Sequence, residues 1–98
     1  MEATLITTEN KKRKIQVDSF EQVKKIISNY DGNIGIEVVT LQDGTALLID
    51  EDGKLKNLPY NDLASALAHE KKGIYPSDFI VGDAILIDLD EFDSLPYE

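Results

Sequence analysis

The sequence predicts a single small domain of the α+β class, with a mainly antiparallel sheet and two helices in the order β-β-α-β-β-α-β. Five stretches have the β-branched or alternating composition of strands, and two others repeat apolar residues at helical intervals. The chain has 98 residues, too few for two separately packed cores. Hydrophobic residues make up 42% of it, as in folded chains. We therefore expect one domain over residues 1–98, ending in an acidic tail from about residue 88.

The first two strands are predicted near the N-terminus, joined by a basic turn. Thr4–Thr8 is β-branched, and Lys14–Val17 alternates polar and apolar residues. The turn, Lys11–Lys14, holds the only concentrated positive charge in the chain. A basic hairpin tip can contact nucleic acid, but such turns more often are solvated loops, which is the interpretation we favour.

The first helix is predicted to begin after Ser19, which has capping-box spacing to Gln22, and to end at Asp31-Gly32. Its apolar residues recur on one face, which indicates that the helix packs on the sheet. These residues are Phe20, Val23, Ile26, Ile27 and Tyr30.

A central hairpin follows, formed by Ile34–Leu41, a Gln42–Gly44 turn and Thr45–Asp50. The second of these strands is almost continuously apolar, which predicts burial on both faces of the sheet. We expect the first helix to cover one face, and a second helix or a neighbouring subunit to cover the other.

The last elements are a short helix and a final strand. Asn61 is a plausible N-cap for a helix over Asp62–His69, and Phe79–Ile87 is predicted as a buried strand with a bulge at Gly82. The predicted buried face of the helix consists of Leu63, Ala66 and Leu67.

The charge balance restricts the partners that the chain can bind. Ten basic against nineteen acidic residues give a net charge of −9, which argues against direct binding of nucleic acid and disfavours an acidic partner. The segment after Gly73 holds the most concentrated acidity. Solvated charge is the simple explanation, and a surface for a basic partner protein is the alternative. The candidate residues for that surface are Asp88, Asp90, Glu91 and Asp93.

Catalysis, metals and cofactors are not predicted. The absence of cysteine excludes thiolate nucleophiles and cysteine metal sites, and His69 is the only histidine. The acidic Asp50–Gly53 turn lacks the remaining ligands of a calcium loop. We read no secretory signal at the N-terminus and no apolar stretch that could span a membrane, and therefore expect a cytoplasmic protein without membrane contact.

One cluster of polar residues stands out as a candidate site. A compact set of donors around the rigid Pro59 could hold a polar or anionic ligand. The alternative is structural: Asn61 caps a helix, and Leu55 and Leu58 pack in the core. The candidate ligand-binding residues are Lys54, Lys56, Asn57, Tyr60 and Asn61.

Several short segments also occur in a distinctive order. They are the Glu37–Val39 strand, Asp43-Gly44, the stretch Asp52–Asn61, and Ile80–Ala84. Over roughly two thirds of its length the chain thereby resembles the domain of unknown function 3846 family, most distinctively in Gly-Lys-Leu-Lys-x-Leu-Pro-x-Asn. The resemblance implies a small intracellular protein, often encoded by phages, plasmids or conjugative elements, with no established reaction. The chain after Asn61 is longer than the family pattern, so a ligand site near this asparagine in relatives could be altered here.

Three functions are compatible with the sequence. The first is a non-enzymatic interaction or accessory protein of a mobile element that acts through protein contacts, with homo-oligomerisation left open. The second is an acidic decoy that blocks a nucleic-acid-binding host protein. The third is binding of a small polar or anionic ligand by the Lys54–Asn61 segment. We expect no enzymatic activity, because carboxylates are the only abundant acid–base groups and no pattern fixes two of them in one cleft.

Overall fold

The chain forms five strands and three helices, in the predicted order with one helix added at the end. The computed structural model describes all 98 residues. The strands are β1 (Glu2–Ile6), β2 (Lys12–Gln16), β3 (Ile36–Thr40), β4 (Thr45–Asp50) and β5 (Ala84–Asp88). The helices are α1 (Phe20–Ile27), α2 (Asp62–Glu70) and α3 (Leu89–Asp93). None of these helices has the length and apolarity that crossing a membrane requires.

The strands make one antiparallel sheet in the spatial order β2-β1-β5-β4-β3. The last strand of the sequence therefore lies at the centre, between β1 and β4. The two edges of the sheet are β2, which pairs only with β1, and β3, which pairs only with β4. The α+β class and the antiparallel sheet predicted from the sequence are confirmed.

The sheet is buried on both faces, as the apolar β4 predicts. Leu47 and Ile49 point to the face that α2 covers, and Leu48 points to the face that α1 covers, because side chains alternate along a strand. Both of these helices belong to the same chain as the sheet. A neighbouring subunit is not needed to bury the sheet.

The basic residues near the N-terminus lie in a strand rather than at a hairpin tip, so that part of the prediction was wrong. Lys12 pairs with Ile6 and Lys14 with Thr4, which places both within β2. The chain reverses direction earlier, where Asn10 adopts a left-handed φ of 63° and Thr7 N–H donates to Lys11 C=O at 2.9 Å.

Helix α1 begins as predicted but ends earlier. Ser19 Oγ accepts a hydrogen bond from Gln22 N–H at 3.1 Å, which confirms the N-cap. At the other end, Ser28 Oγ donates to Lys24 C=O at 2.6 Å, and Tyr30 has a φ of 72°. The predicted place of Tyr30 on the buried stripe is therefore wrong, because the chain leaves the helix first, and its side chain is 80% exposed.

The buried face of α2 consists of small residues and not of the predicted set. Ala64, Ser65 and Ala68 are buried, whereas Leu63 and Leu67 are half-buried at the sides and Ala66 is exposed. Small side chains allow the helix axis to lie close to the sheet, so the two leucines flank the contact instead of filling it.

The C-terminal region differs from the prediction in the start of β5. Strand β5 begins only at Ala84, because Gly82 turns the chain with a φ of 78° and Val81 makes just an isolated bridge with Tyr60. The acidic segment that follows contains α3. Phe92 and Leu95 pack against the α1-side core, which holds this segment on the domain.

Candidate functional site

The two edges of the sheet differ in how they meet solvent. Val17 N–H donates to Met1 C=O at 2.8 Å and Thr7 N–H donates to Lys11 C=O at 2.9 Å. With the β1–β2 register, these bonds show that odd-numbered residues of β2 bond to β1. The outward N–H and C=O groups of β2 therefore belong to Lys12, Lys14 and Gln16. Lysine on an edge strand opposes pairing with another chain, so this edge is protected.

The hydrogen bonds at the two ends of the β3–β4 ladder define the outward groups of β3 in the same way. Leu41 N–H donates to Thr45 C=O at 2.9 Å, and Glu51 N–H donates to Gly35 C=O at 3.1 Å. In the β3–β4 register, odd-numbered residues of β3 consequently bond to β4, and even-numbered residues point their main-chain groups outward. These outward residues are Ile36, Val38 and Thr40.

The edge of β3 is covered at its C-terminal end, where Gly73 lies against the main-chain oxygen of Thr40, and is open along Ile36 and Val38. The hydrogen bonds outside the regular ladders involve no main-chain group of Ile36, Val38 or Thr40. The strand has no lysine, proline or glycine, and the Val38 side chain is 38% exposed. An edge of this composition is a template for a further strand.

A cleft of about 420 Å³ lies beside this edge. One wall is β3 and the other is the segment that follows α2, residues 72–78. Gln42 N–H donates to Lys71 C=O at 3.1 Å, which fixes the start of that wall to the end of β3. A second cavity of about 90 Å³ adjoins the cleft and shares four of its lining residues, Glu37, Val39, Ile74 and Asp78.

Large apolar side chains that remain in contact with solvent border both cavities. Tyr75, which lines the cleft, is 81% exposed, and Leu55, which lines the second cavity, is 83% exposed. Phe79 lines the second cavity as well, and its ring centroid lies 5.7 Å from that of Tyr60. We call Leu55, Tyr75 and Phe79, together with Tyr60, which packs on Phe79 but lines neither cavity, the apolar border of the β3 edge.

Two ion pairs fix the segment that carries this border. Lys54 Nζ donates to Asp78 Oδ1 and lies 4.6 Å from the centre of the Phe79 ring. The hydrogen bond from Lys54, assisted by one from Phe79 N–H, lowers the pKa of Asp78 below its ordinary 3.8. Lys56 Nζ donates to Asp50 Oδ2 at 2.7 Å, and this bond raises the pKa of Lys56 above its ordinary 10.5.

The structure does not gather the five predicted ligand-binding residues around one cavity. Of the five, only Lys54 lines either of the two cavities at β3. Lys54 and Lys56 are engaged in the ion pairs, Asn57 is exposed with a φ of 54°, and Tyr60 packs on Phe79. Ligand binding by this segment stays a prediction.

Asn61 has a structural place at the centre of the molecule. Its side chain is fully buried, and its Oδ1 accepts a hydrogen bond from Ala64 N–H at 3.0 Å, which confirms the predicted N-cap. Of the two leucines expected to accompany it in the core, Leu58 is half-buried against Gly82, while Leu55 is exposed. That part of the structural alternative was wrong, because Leu55 lies on a turn outside the sheet.

The acidic candidates lie on α3. Asp88 caps this helix, since its Oδ1 accepts hydrogen bonds from Asp90 N–H at 2.9 Å and Glu91 N–H at 3.2 Å. The side chains of Asp90, Glu91 and Asp93 are exposed. They do not form a group with metal-binding geometry, and neither do other histidine, aspartate or glutamate residues of the chain. A partner for this surface stays a prediction.

The β3 edge was missed from the sequence although part of its signal is there. The sequence itself shows that the strand around Val38 and Val39 has no lysine and lies next to a turn with a glycine. The position of that strand at the border of the sheet depends on pairing with β4 alone. The exposure of Tyr75 likewise depends on the path of the chain after α2.

Comparison with known proteins gives one result. Neither a curated protein nor a solved structure matches the chain. The model of the family described as "Domain of unknown function (DUF3846)" matches residues 1–98, the whole chain. This agrees with the resemblance over Glu37–Ala64 and Ile80–Ile87 and extends it to the whole chain, so the protein belongs to the DUF3846 family.

Proposed function

We propose that this protein is a non-enzymatic binding module whose binding element is the free edge of β3. An extended segment of a partner protein adds to the sheet there as a sixth strand. The observation that carries this proposal is that the outward main-chain groups of Ile36 and Val38 make no hydrogen bond within the chain and lie beside an open cleft. Strand addition uses such groups for affinity and adjacent pockets for specificity.

The apolar border supports the same function. Each hydrogen bond to the edge contributes only about 0.5–1.5 kcal/mol net, because the same groups bond to water in the free protein. Burial of exposed aromatic and aliphatic surface, at about 25 cal/mol per Å², supplies the larger part of binding. Tyr75 and Leu55 are the border residues with the most exposed surface to bury.

Three further aspects of the function rest on sequence alone. The absence of enzymatic activity is proposed from a chain with one histidine and no cysteine. A role as an accessory protein of a mobile genetic element, in the cytoplasm of its host, is proposed from the family resemblance. The genes that flank its coding sequence test that role.

A proline substitution on each edge tests the binding element. Val38→Pro removes an outward N–H without removing a hydrogen bond to β4, and Lys14→Pro makes the matched change on β2. Peptides selected from a random library for binding to the wild-type protein should lose affinity for Val38→Pro and keep it for Lys14→Pro. The main-chain amides of Ile36 and Val38 should gain protection from hydrogen exchange when a peptide binds.

One outcome of this experiment would refute the proposal. If the selected peptides bind Val38→Pro as tightly as the wild-type protein, and circular dichroism shows both variants folded, the β3 edge is not the binding element.

A further inference from the structure

We infer that the segment that adds to this edge is basic, with a lysine or arginine opposite Glu37 whose cationic end reaches the carboxylates of Glu37 and Glu51. The inference rests on the proposed function, because it uses the same edge and names the chemistry of the partner. The free main-chain groups of Ile36 and Val38 give the position of the segment, and the charges beside them give its character.

The open part of the edge determines which partner residue lies opposite Glu37. An antiparallel segment exchanges main-chain hydrogen bonds with Ile36 and with Val38, since even-numbered residues of β3 point these groups outward. The partner residue between those positions stands opposite Glu37 in a non-hydrogen-bonded pair, in which the side chains approach most closely. Gly73 covers the main-chain oxygen of Thr40, so the segment leaves the sheet after Val38 and needs no other part of the edge.

Two carboxylates lie near the open end of this edge. Glu37 is two residues before the buried Val39, so its side chain is on the face of the sheet that α2 covers. The carboxylate of Glu51 occupies the space that a side chain on Gly35 would fill, and Gly35 shares that face because it is two residues before Glu37. Both glutamates line the second cavity, and neither takes part in an ion pair within the chain.

The other charges of the second cavity are already balanced. Asp78 pairs with Lys54, and Asp50 pairs with Lys56, so each of these carboxylates has its own ammonium group. The two glutamates are the remaining charged residues of the lining, which leaves the cavity with uncompensated negative charge. A neutral or acidic segment would cover these carboxylates without giving them a partner, which is unfavourable, whereas a basic segment supplies one.

The apolar part of the same lining matches the stem of a basic side chain. Ile74 and Phe79 line the second cavity together with the two glutamates. Lysine and arginine place an apolar stem against such a surface and keep the charged end at its polar rim. A side chain opposite Glu37 can therefore cover Ile74 and Phe79 and still bring its charge to the carboxylates.

The position of Lys72 limits the segment to a basic residue at the open end. Lys72 lines the cleft and has no ion pair within the chain. It directly precedes Gly73, so it lies at the closed end of the edge. A second basic residue at that end would meet a like charge, which is unfavourable. The expected segment thus has its positive charge opposite Glu37 and none beside Lys72.

Charge variants of the protein, tested against library peptides, separate this inference from the proposed function. Peptides selected from a random library on the wild-type protein should share a lysine or arginine at one position, and calorimetry measures their affinity. Glu37→Gln and Glu51→Gln should each weaken binding about three- to fivefold. Glu9→Gln removes the same charge outside the cleft and should leave binding unchanged. Glu37→Lys places like charges opposite each other and should weaken binding at least about tenfold.

Exchange of the two charges completes the experiment. A peptide whose shared basic residue is replaced by glutamate should bind Glu37→Lys more tightly than the wild-type protein, because opposite charges face each other again. If it does not, the basic residue is not opposite Glu37, and the stated register is overturned. Peptides that lose affinity for Val38→Pro but share no basic residue, or that bind both glutamine variants as tightly as the wild-type protein, overturn the basic segment and leave the proposed function standing. Peptides that bind Val38→Pro as tightly as the wild-type protein overturn the proposed function, and this inference with it.

Discussion

The side-chain amide of Asn61 donates a hydrogen bond to the main-chain carbonyl of Ile6, 3.0 Å away, and so joins the start of α2 to strand β1. A second bond from the same amide reaches the carbonyl of Gly82 at 2.8 Å. One buried residue therefore ties together a helix, a strand and the turn that precedes β5. Asn61 supports the fold of the sheet instead of facing a ligand.

Removal of this amide should be among the most destabilising single changes in the chain. Asn61→Ala removes the hydrogen bonds to Gly82 C=O and from Ala64 N–H, and one of the bonds to Ile6 C=O, so we expect a loss of about 3 kcal/mol or more in the free energy of unfolding. Chemical denaturation provides the measurement. Asn33→Ala, at an exposed asparagine, is the matched control and should change stability by less than about 0.5 kcal/mol. Similar values for the two variants would contradict a structural role for Asn61.

The ion pair between Lys54 and Asp78 should make the folded protein less stable as the pH falls below about 3.8. The pKa of Asp78 is lower in the folded protein than its ordinary 3.8, because Lys54 and Phe79 N–H bond to the charged form. The stabilisation is fully present above about pH 3.8 and is lost as the pH falls through the lower, folded pKa. Asp78→Asn should therefore lower the melting temperature at pH 7, and its difference from the wild-type protein should shrink below pH 3.8.

Glu9→Gln is a suitable control for this titration, since it removes one exposed acidic charge outside the cleft. A difference between Asp78→Asn and the wild-type protein that stays constant from pH 7 to pH 2 would show that the pair does not contribute in this way.

Local patterns predicted the elements well, and pairing between distant segments explains what they missed. Strand β4 has the predicted bounds, Thr45–Asp50, because a turn marks each of its ends. The central position of β5 follows from pairs such as Ala46 with Ile87, which lie far apart in the sequence and leave no local pattern. For the same reason the sequence did not distinguish the protected edge from the open one.

The contact of Gly73 with β3 leads to a prediction about the cleft. A Cβ at this position would lie 2.5 Å from Leu41 Cδ2 and 3.0 Å from the main-chain oxygen of Thr40. Gly73→Ala should therefore push the wall of the cleft away from β3 and cost about 1–3 kcal/mol. Gly44→Ala is the comparison: its φ of 87° makes alanine unfavourable by about 1 kcal/mol, but nothing lies within 4 Å of the new methyl group.

Nuclear magnetic resonance distinguishes the two glycine variants. Gly73→Ala should shift the amide signals of Val39, Thr40 and Ile74, while Gly44→Ala should shift only those of its own turn. Unchanged signals along β3 in Gly73→Ala would show that the wall does not rest on this strand.

The C-terminal segment combines a structural contact with exposed acidic side chains. The carbonyls of Pro96 and Tyr97 each accept a hydrogen bond at 2.8 Å from the first two amides of α1, those of Phe20 and Glu21. Deletion of residues 95–98 should lower the melting temperature and speed hydrogen exchange at those two amides, since the start of the helix loses its partners. The triple variant Asp90→Asn/Glu91→Gln/Asp93→Asn keeps both carbonyls and should leave exchange at Phe20 and Glu21 unchanged. If that triple variant abolishes capture of a partner while Val38→Pro does not, the acidic surface of α3, and not the β3 edge, is the site at which this domain binds other proteins.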